Sequence, residues 1–600
     1  MTRRRHRHNR PDRRGPSPPP AVAADTPQRR AASNAPRRRT AVIIMALMAG
    51  YAVLAVAMTW PVAGQLTTHI AGEGDDLYVT QWDCWWISKV ITQHENPLHT
   101  DDLFYPTGVS LAYHSASWLT GIIAAPLRWW FGATAGYNLT FLLQTILCAA
   151  AMFALVMHLT NRTDAAWLAG LVFAFAPYRM SQATAHPNLA FAAAIPLVLL
   201  GLHKALTTRR RRWSWMAAGA LALVLLTGAH LFIMTCALAT LLVIILLIQH
   251  RLWRNGDAAK TLAHFAVACA VLVGPLIIQY VGGGIDDALS LVDAETRQTD
   301  LAALVTPSRY HPWWGDAFDQ TYARFNANRP WIATLGFVAL TLSVVASFHR
   351  RTRRPALVWS VSGVILLLLC LGPKLRILGH VYDLPMPYDL VGWLTPVKAL
   401  RSPDRLNLVL IVCLAVTCAY GLIAIRPAGT RRCWCIIAAT VLVLFEYWPY
   451  PYPTTPATVS PFFANLAGDR STDAIIEIPL ARKPSKFAMY AQTVHHHPMV
   501  GGMVARTPPE AYGFIRQSPL LRAWFENQPP RLDCSTIDVR GGLTRLRDAG
   551  VKYLVIRRRW APRYARSGWS RVFAAKPVYA DHRLVAYDID AMLNHPLPCD

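Results

Sequence analysis

No Cys-x-x-Cys pair occurs among the 11 cysteines, which removes the usual signature of a zinc site or a dithiol redox motif. No internal repeat is visible, and the long apolar runs are nearly free of charge; Glu446, near the end of the last run, is the main acid within one. Transporters generally show repeated halves and ionisable groups in mid-span, so both absences count against transport. The first 40 residues hold almost no bulky apolar side chain and cannot bury enough surface to fold. They read as a disordered, basic cytoplasmic tail, 1–40. The apolar run at 41–62 has no obvious small-residue cleavage site, so it does not read as an ordinary signal peptide and is expected to stay as a helix.

What the chain does contain is apolar sequence. Of its 600 residues 53% are hydrophobic, and they fall in runs of about 20, the length that spans a bilayer. The net charge of +26, from 60 Lys and Arg against 34 Asp and Glu, would suggest nucleic acid in a soluble protein. Here the arginines bunch between apolar runs, at 209–212, 250–254, 349–354 and 426–432. That is the pattern of cytoplasmic connectors, and no nucleic-acid partner is implied. With residue 64 outside and Arg209 inside, an odd number of crossings must separate them. Four apolar stretches compete for that interval. The segment 115–131, short and carrying Pro126, Arg128, Trp129 and Trp130, is therefore read as an interfacial or re-entrant helix. The expected fold is mostly α, a polytopic membrane helical bundle over 41–449 with about 11 spans and a large first outer loop at 64–136.

After Pro449, Pro451, Pro453 and Pro456 the composition turns polar. Strand-like runs at 474–478, 552–556 and 584–587 and a helix at 543–548 ending at Gly550 predict a C-terminal extracytoplasmic α/β domain, 450–600. Cys534 and Cys599 would both lie outside, paired or as free thiols. The run His495-His496-His497 does not read as a metal site, because neighbouring side chains on a strand alternate faces.

The richest stretch is the first outer loop. Gly74-Asp75-Asp76 precedes Tyr78, Trp82, Trp85 and Trp86, which share a face at helical spacing and describe an amphipathic helix in the headgroup layer. Two acids at its start admit three readings. They cap the helix, one is a general base for an acceptor hydroxyl, or the pair holds a divalent cation, in which case Asp75 and Asp76 are the metal ligands.

These residues carry a resemblance. Asp76 followed six residues later by Trp82 and then Trp85-Trp86, the Phe104-Tyr105-Pro106-x-Gly108 turn, Tyr137-Asn138-Leu139, and Pro177-Tyr178-Arg179 with His186 resemble bacterial proteins of the GT-C superfamily of membrane glycosyltransferases. Arg401-x-Pro403-x-Arg405, Glu477-x-Pro479, Met489-Tyr490-x-Gln492-Thr493-x-His495 and Gly501-Gly502 continue the likeness over most of the chain. The resemblance implies transfer of a sugar from a polyprenyl-phosphate donor to a glycan, lipid or protein acceptor at the outer face of a bacterial cytoplasmic membrane. It implies Asp76, then Asp75, as the catalytic acids. Lys398, Arg401, Arg405 and Arg179 are then expected to bind the donor phosphate. His186, Tyr178, Trp82 and His114 complete an expected substrate-binding set. The rival functions are a lipid or polysaccharide transporter or flippase, and a non-catalytic assembly protein of the same fold.

Overall fold

Uninterrupted apolar sequence satisfies its backbone internally as helix, and the computed structural model follows that rule. It describes residues 27–112, 114–251, 254, 256–281, 297–325, 332–394, 397, 400, 402–425, 430–469, 473–526 and 528–598. Five stretches are long and apolar enough to cross a membrane: Ala133–Thr160, Pro187–Thr208, Ala229–Gln249, Arg353–Cys370 and Pro403–Ile425. Val42–Met58 and Phe337–Phe348 are shorter apolar helices. Several other runs expected to span fold as shorter helices, such as Thr163–Phe175, or in two pieces, as Gly256–Leu272 and Gly274–Val281.

The chain divides into compact units at Met1–Gly50 and Tyr51–Asp600. In the first unit, the tail expected to lack structure to residue 40 is instead helical from Pro27. Arginine and alanine, its main residues there, are good helix formers and extend the helix of the apolar run backwards.

In the second unit the first loop is stitched to the segment after the last apolar helix. His69–Ala71 pairs antiparallel with Thr454–Pro456, His69 opposite Pro456 and Ala71 opposite Thr454. Next comes the helix Asp76–Gln93. Its aromatic face was expected to lie among lipid headgroups, and here the structure corrects the sequence reading. Trp82 is 0% and Trp86 2% exposed, their rings stacked with centroids 5.7 Å apart. They pack with Val79 against Ala488, Met489, Met499 and Met503, so the helix Arg482–His495 takes the place expected of lipid. Burying each large side chain contributes roughly 1.5–3 kcal/mol. The segment 115–131 becomes one helix, Trp118–Phe131, with Trp129, Trp130 and Phe131 exposed.

The C-terminal portion is built on a four-stranded mixed sheet ordered Ala474–Ile478, Val551–Arg557, Leu584–Asp588, Tyr579–Ala580. The first pair is parallel and the others antiparallel. Ile476 and Ile478 face a core with Leu520, Trp524, Leu543 and Leu546, while Ile475 and Val555 face Phe462, Phe463 and Ala491. A sheet covered on both sides needs mostly apolar strands, and apart from Glu477, Lys552, Arg557 and Asp588 these strands are apolar or aromatic. The expected helix is present as Val539–Asp548, with Gly550 following at φ +80°. Cys534 is disulfide-bonded; Cys599 lies outside the described residues. His495 and His497 are buried, His497 against the Asp473 and Leu466 carbonyls and His495 stacked on Phe463.

Candidate active site

Asp76 occupies the first turn of its helix, and Asp75 is the residue that caps it. Asp75 makes no side-chain capping bond, so the capping reading does not hold. Its carboxylate faces Lys483, 3.1 Å away. The Asp76 carboxylate is held from both sides, by the Lys486 ammonium at Oδ1 and by His186 Nε2, 3.1 Å from Oδ2. Burial works to raise the Asp76 carboxyl, but the hydrogen bonds and charges of His186 and Lys486 outweigh it and hold the group far below the usual carboxylate range.

How His186 arrives there is a matter of backbone contact. Gly72 sits at φ +112°, and a Cβ on it would lie 2.2 Å from the Thr184 carbonyl oxygen. The next residue, Glu73, donates its N–H to that same oxygen at 2.9 Å. The loop thus lies directly on the end of the helix Pro177–Ala185, whose following residue is His186. Gly72→Ala is expected to cost about 1–3 kcal/mol through a strained φ and a displaced carbonyl. It should also uncouple His186 from Asp76, seen as a change in the His186 imidazole resonances in NMR of the full-length protein.

Asp76 lines a cavity of about 300 Å³ together with Thr80, Asp83, His114, Ser117, His186, Arg297, Arg405, Arg482 and Lys486, among others. Four lysine and arginine side chains against two aspartates give the wall an excess of positive charge, the electrostatics of an anion site. Asp83 and His114 form a buried pair, Oδ1 to Nε2 2.7 Å. The Ala505 N–H donates to His114 Nδ1 at 3.2 Å, so Nε2 carries the hydrogen given to Asp83.

Of the residues the sequence nominated, Asp76, His114, His186 and Arg405 meet in this cavity. Asp75, on Lys483, and three others are elsewhere. Arg179 is fully buried and donates to the Ala174 and Ala190 carbonyls at 2.6 and 3.0 Å, because the short helix after Pro177 turns it into the bundle. Tyr178 is buried and donates to Asp404 Oδ2 at 3.4 Å. Trp82 gives its Nε1–H to Gln492 Oε1 at 2.7 Å in the core. Lys398 and Arg401 lie outside the described residues. Asp83, Arg297, Arg482 and Lys486 were not nominated; Asp83 repeats the face of Asp76 seven residues on, a spacing readable in the sequence, but nothing local marks the other three.

Asp75 and Asp76 each face a lysine, and no group of three or more His, Cys, Asp or Glu converges as a ligand set among the described residues.

A family model described as a domain of unknown function, DUF6311, matches residues 40–446. The chain belongs to the DUF6311 family. No curated protein matches this DUF6311 chain. Among solved structures, ArnT from Cupriavidus metallidurans bound to undecaprenyl phosphate is similar with a TM-score of 0.53 at 13% identity, over 92% of this chain and 99% of that one. The arabinofuranosyltransferase AftD from mycobacteria gives 0.50 at 15% identity, over 87% of this chain and 35% of its own. The DUF6311 chain therefore spans about a third of AftD. The archaeal oligosaccharyltransferase AglB from Archaeoglobus fulgidus is similar at 0.45 and 12% identity, over 86% of this chain and 69% of that one. The DUF6311 chain has the GT-C fold that the sequence motifs resemble.

Proposed function

We propose that this chain is an integral-membrane glycosyltransferase that moves a sugar from a polyprenyl-phosphate donor to an acceptor at the outer face of a bacterial cytoplasmic membrane. One observation carries the reading: an ionised carboxylate, Asp76, stands in a cavity whose other charges are mostly cationic. Arg405 gives this cavity a membrane edge, since it lies at the start of the apolar stretch Pro403–Ile425. A phosphate clamped there would leave its isoprenoid tail beside lipid.

In the proposed reaction an acceptor hydroxyl attacks the sugar C1, the bond from C1 to the phosphate oxygen breaks, and polyprenyl phosphate leaves with the electron pair. The acceptor proton passes to Asp76. Lys486, Arg405, Arg297 and Arg482 offset the charge that grows on the departing phosphate. While paired with Lys486 and His186, Asp76 is a weak base. A donor phosphate competes for those same cations, so donor binding would restore the basicity of the carboxylate at the moment it is needed.

The reading is tested by titrating undecaprenyl phosphate, and neutral undecaprenol, into the full-length protein in detergent while following tryptophan fluorescence. The phosphate should bind and the alcohol should not compete. Lys486→Met and Arg405→Met should each weaken binding by about 10-fold or more, the worth of a hydrogen bond to a charged group. Equal affinity for both lipids, or unchanged affinity in the double variant, would sink the donor assignment. Tight binding without sugar transfer from any donor would favour the non-catalytic assembly role.

A further inference from the structure

Asp83 is a carboxylate inside a cavity that otherwise suits an anion, and the proposed transfer makes no use of it. On the helix Asp76–Gln93, the positions Asp76, Thr80 and Asp83 fall on one face and all three line the cavity. At 1.5 Å per residue, Asp83 lies about 10 Å along the wall from Asp76, roughly one sugar ring and its phosphate away. Among the described residues it is hydrogen-bonded to His114 through Oδ1 at 2.7 Å, and its side chain lines the cavity; a carboxylate has acceptor capacity beyond that one bond. Hydroxyls line the same cavity: Ser117 Oγ and Thr120 Oγ1 are 2.7 Å apart, and Thr120 is fixed by Gln144 Nε2 at 2.8 Å.

A buried carboxylate repels phosphate, so its presence here costs affinity unless the part of the ligand that reaches it is neutral and donates hydrogen bonds. Sugar hydroxyls have that chemistry. A carboxylate accepts from two neighbouring hydroxyls at once, and a positioned acceptor of this kind discriminates strongly against a ligand lacking the hydroxyl. His114, fixed through the Ala505 N–H, keeps the carboxylate aimed.

We infer that Asp83, oriented by His114, is the sugar-recognition residue of this site and accepts hydrogen bonds from hydroxyls of the donor sugar. The inference rests on the donor reading above. His114 is a positioning residue in it, and Asp83 a binding one.

The test separates the lipid-phosphate part of the affinity from the sugar part. Full-length protein in detergent is titrated with undecaprenyl phosphate, undecaprenyl phosphoryl glucose and undecaprenyl phosphoryl arabinose. In the wild type at least one sugar should tighten binding about 10-fold over the bare lipid phosphate. In Asp83→Asn that gain should fall within about twofold of none, with bare lipid phosphate bound as well as before or better, since a repulsive charge has gone. A second measurement needs no variant: deleting the sugar hydroxyls of the preferred donor one at a time should expose one position whose loss costs the wild type about 10-fold. Absence of all lipid-phosphate binding overturns the donor reading and this inference with it. Normal lipid-phosphate binding with no gain from either sugar overturns the inference alone. So does a gain that survives in Asp83→Asn, or a wild type indifferent to every hydroxyl.

Discussion

Asp76→Asn is expected to lower sugar transfer from a polyprenyl-phosphate donor by about 10²–10⁴-fold, the usual contribution of a positioned general base. Asparagine keeps the shape of the side chain and one acceptor oxygen, so the loop and helix should hold and the melting temperature should change little. Removing the carboxylate also releases Lys486 and His186 from their pairing, so undecaprenyl phosphate should bind at least as tightly as in the wild type. The pH dependence follows from the same contacts. Burial alone would raise the Asp76 carboxyl, but His186 and Lys486 hold it below its ordinary range. In the free enzyme the basic form is then present at every pH above about 4, so an acid limb in the wild-type kcat/KM belongs to another group. The variant should accordingly be slow at all pH values, with no recovery on the alkaline side. Wild-type turnover in Asp76→Asn, measured with radiolabelled donor in vesicles, would remove Asp76 from the mechanism.

Arg557→Ala should have the largest effect on stability, about 3–5 kcal/mol, the usual consequence of stranding one member of a buried ion pair. Glu477 is 8% exposed on the first strand of the C-terminal sheet. Arg557 Nε donates to Glu477 Oε2 at 2.9 Å, and Nη2 donates to the Phe487 carbonyl at 3.0 Å. Because Phe487 follows Lys486 directly, Arg557 ties the sheet to the helix that supplies the partner of Asp76. The variant should therefore unfold at lower temperature and also lose activity. Burial pushes the Glu477 carboxyl up, and Arg557 opposes it. Without the arginine a protonated Glu477 is tolerated better than an ionised one. The deficit should thus be smaller near pH 5 than near pH 8, where the folded state must keep a bare carboxylate. Thermal unfolding of the full-length protein at both pH values decides it; an unchanged melting temperature would show that the pair holds nothing together.

Local pattern made much of this legible and long-range contact hid the rest. The strand 474–478 and its partners could be read because burial on both faces demands mostly apolar residues, with the Glu477–Arg557 pair as the exception, and the helix end near Gly550 because only glycine takes that φ without strain. Asp76 was legible from its interval to Trp82. The direction in which the tryptophans face was not, since an apolar stripe looks the same whether it meets lipid or the helix Arg482–His495. Arg179 and Tyr178 sit in a motif that implies a site, yet helix phase alone decides that they point inward while His186, one residue past the helix end, points out. Lys486 and Arg482 are ordinary basic residues until the fold lays their helix on Asp76. Asp83 was masked by its sequence neighbours, an acid between Trp82 and Trp85, although helical phase puts it on the face of Asp76 rather than on theirs.

The contact between Lys486 and Asp76 spans 410 residues, and this places a clock on biogenesis. At about 5–20 residues per second, the two charges are synthesised about 20–80 s apart. Throughout that interval a nascent chain already inserted in the membrane carries Asp76 without its lysine, and the strand His69–Ala71 without Thr454–Pro456. The cavity is therefore a late product of synthesis. A ribosome stalled before Lys486 would leave an inserted chain in which the anion site has never existed.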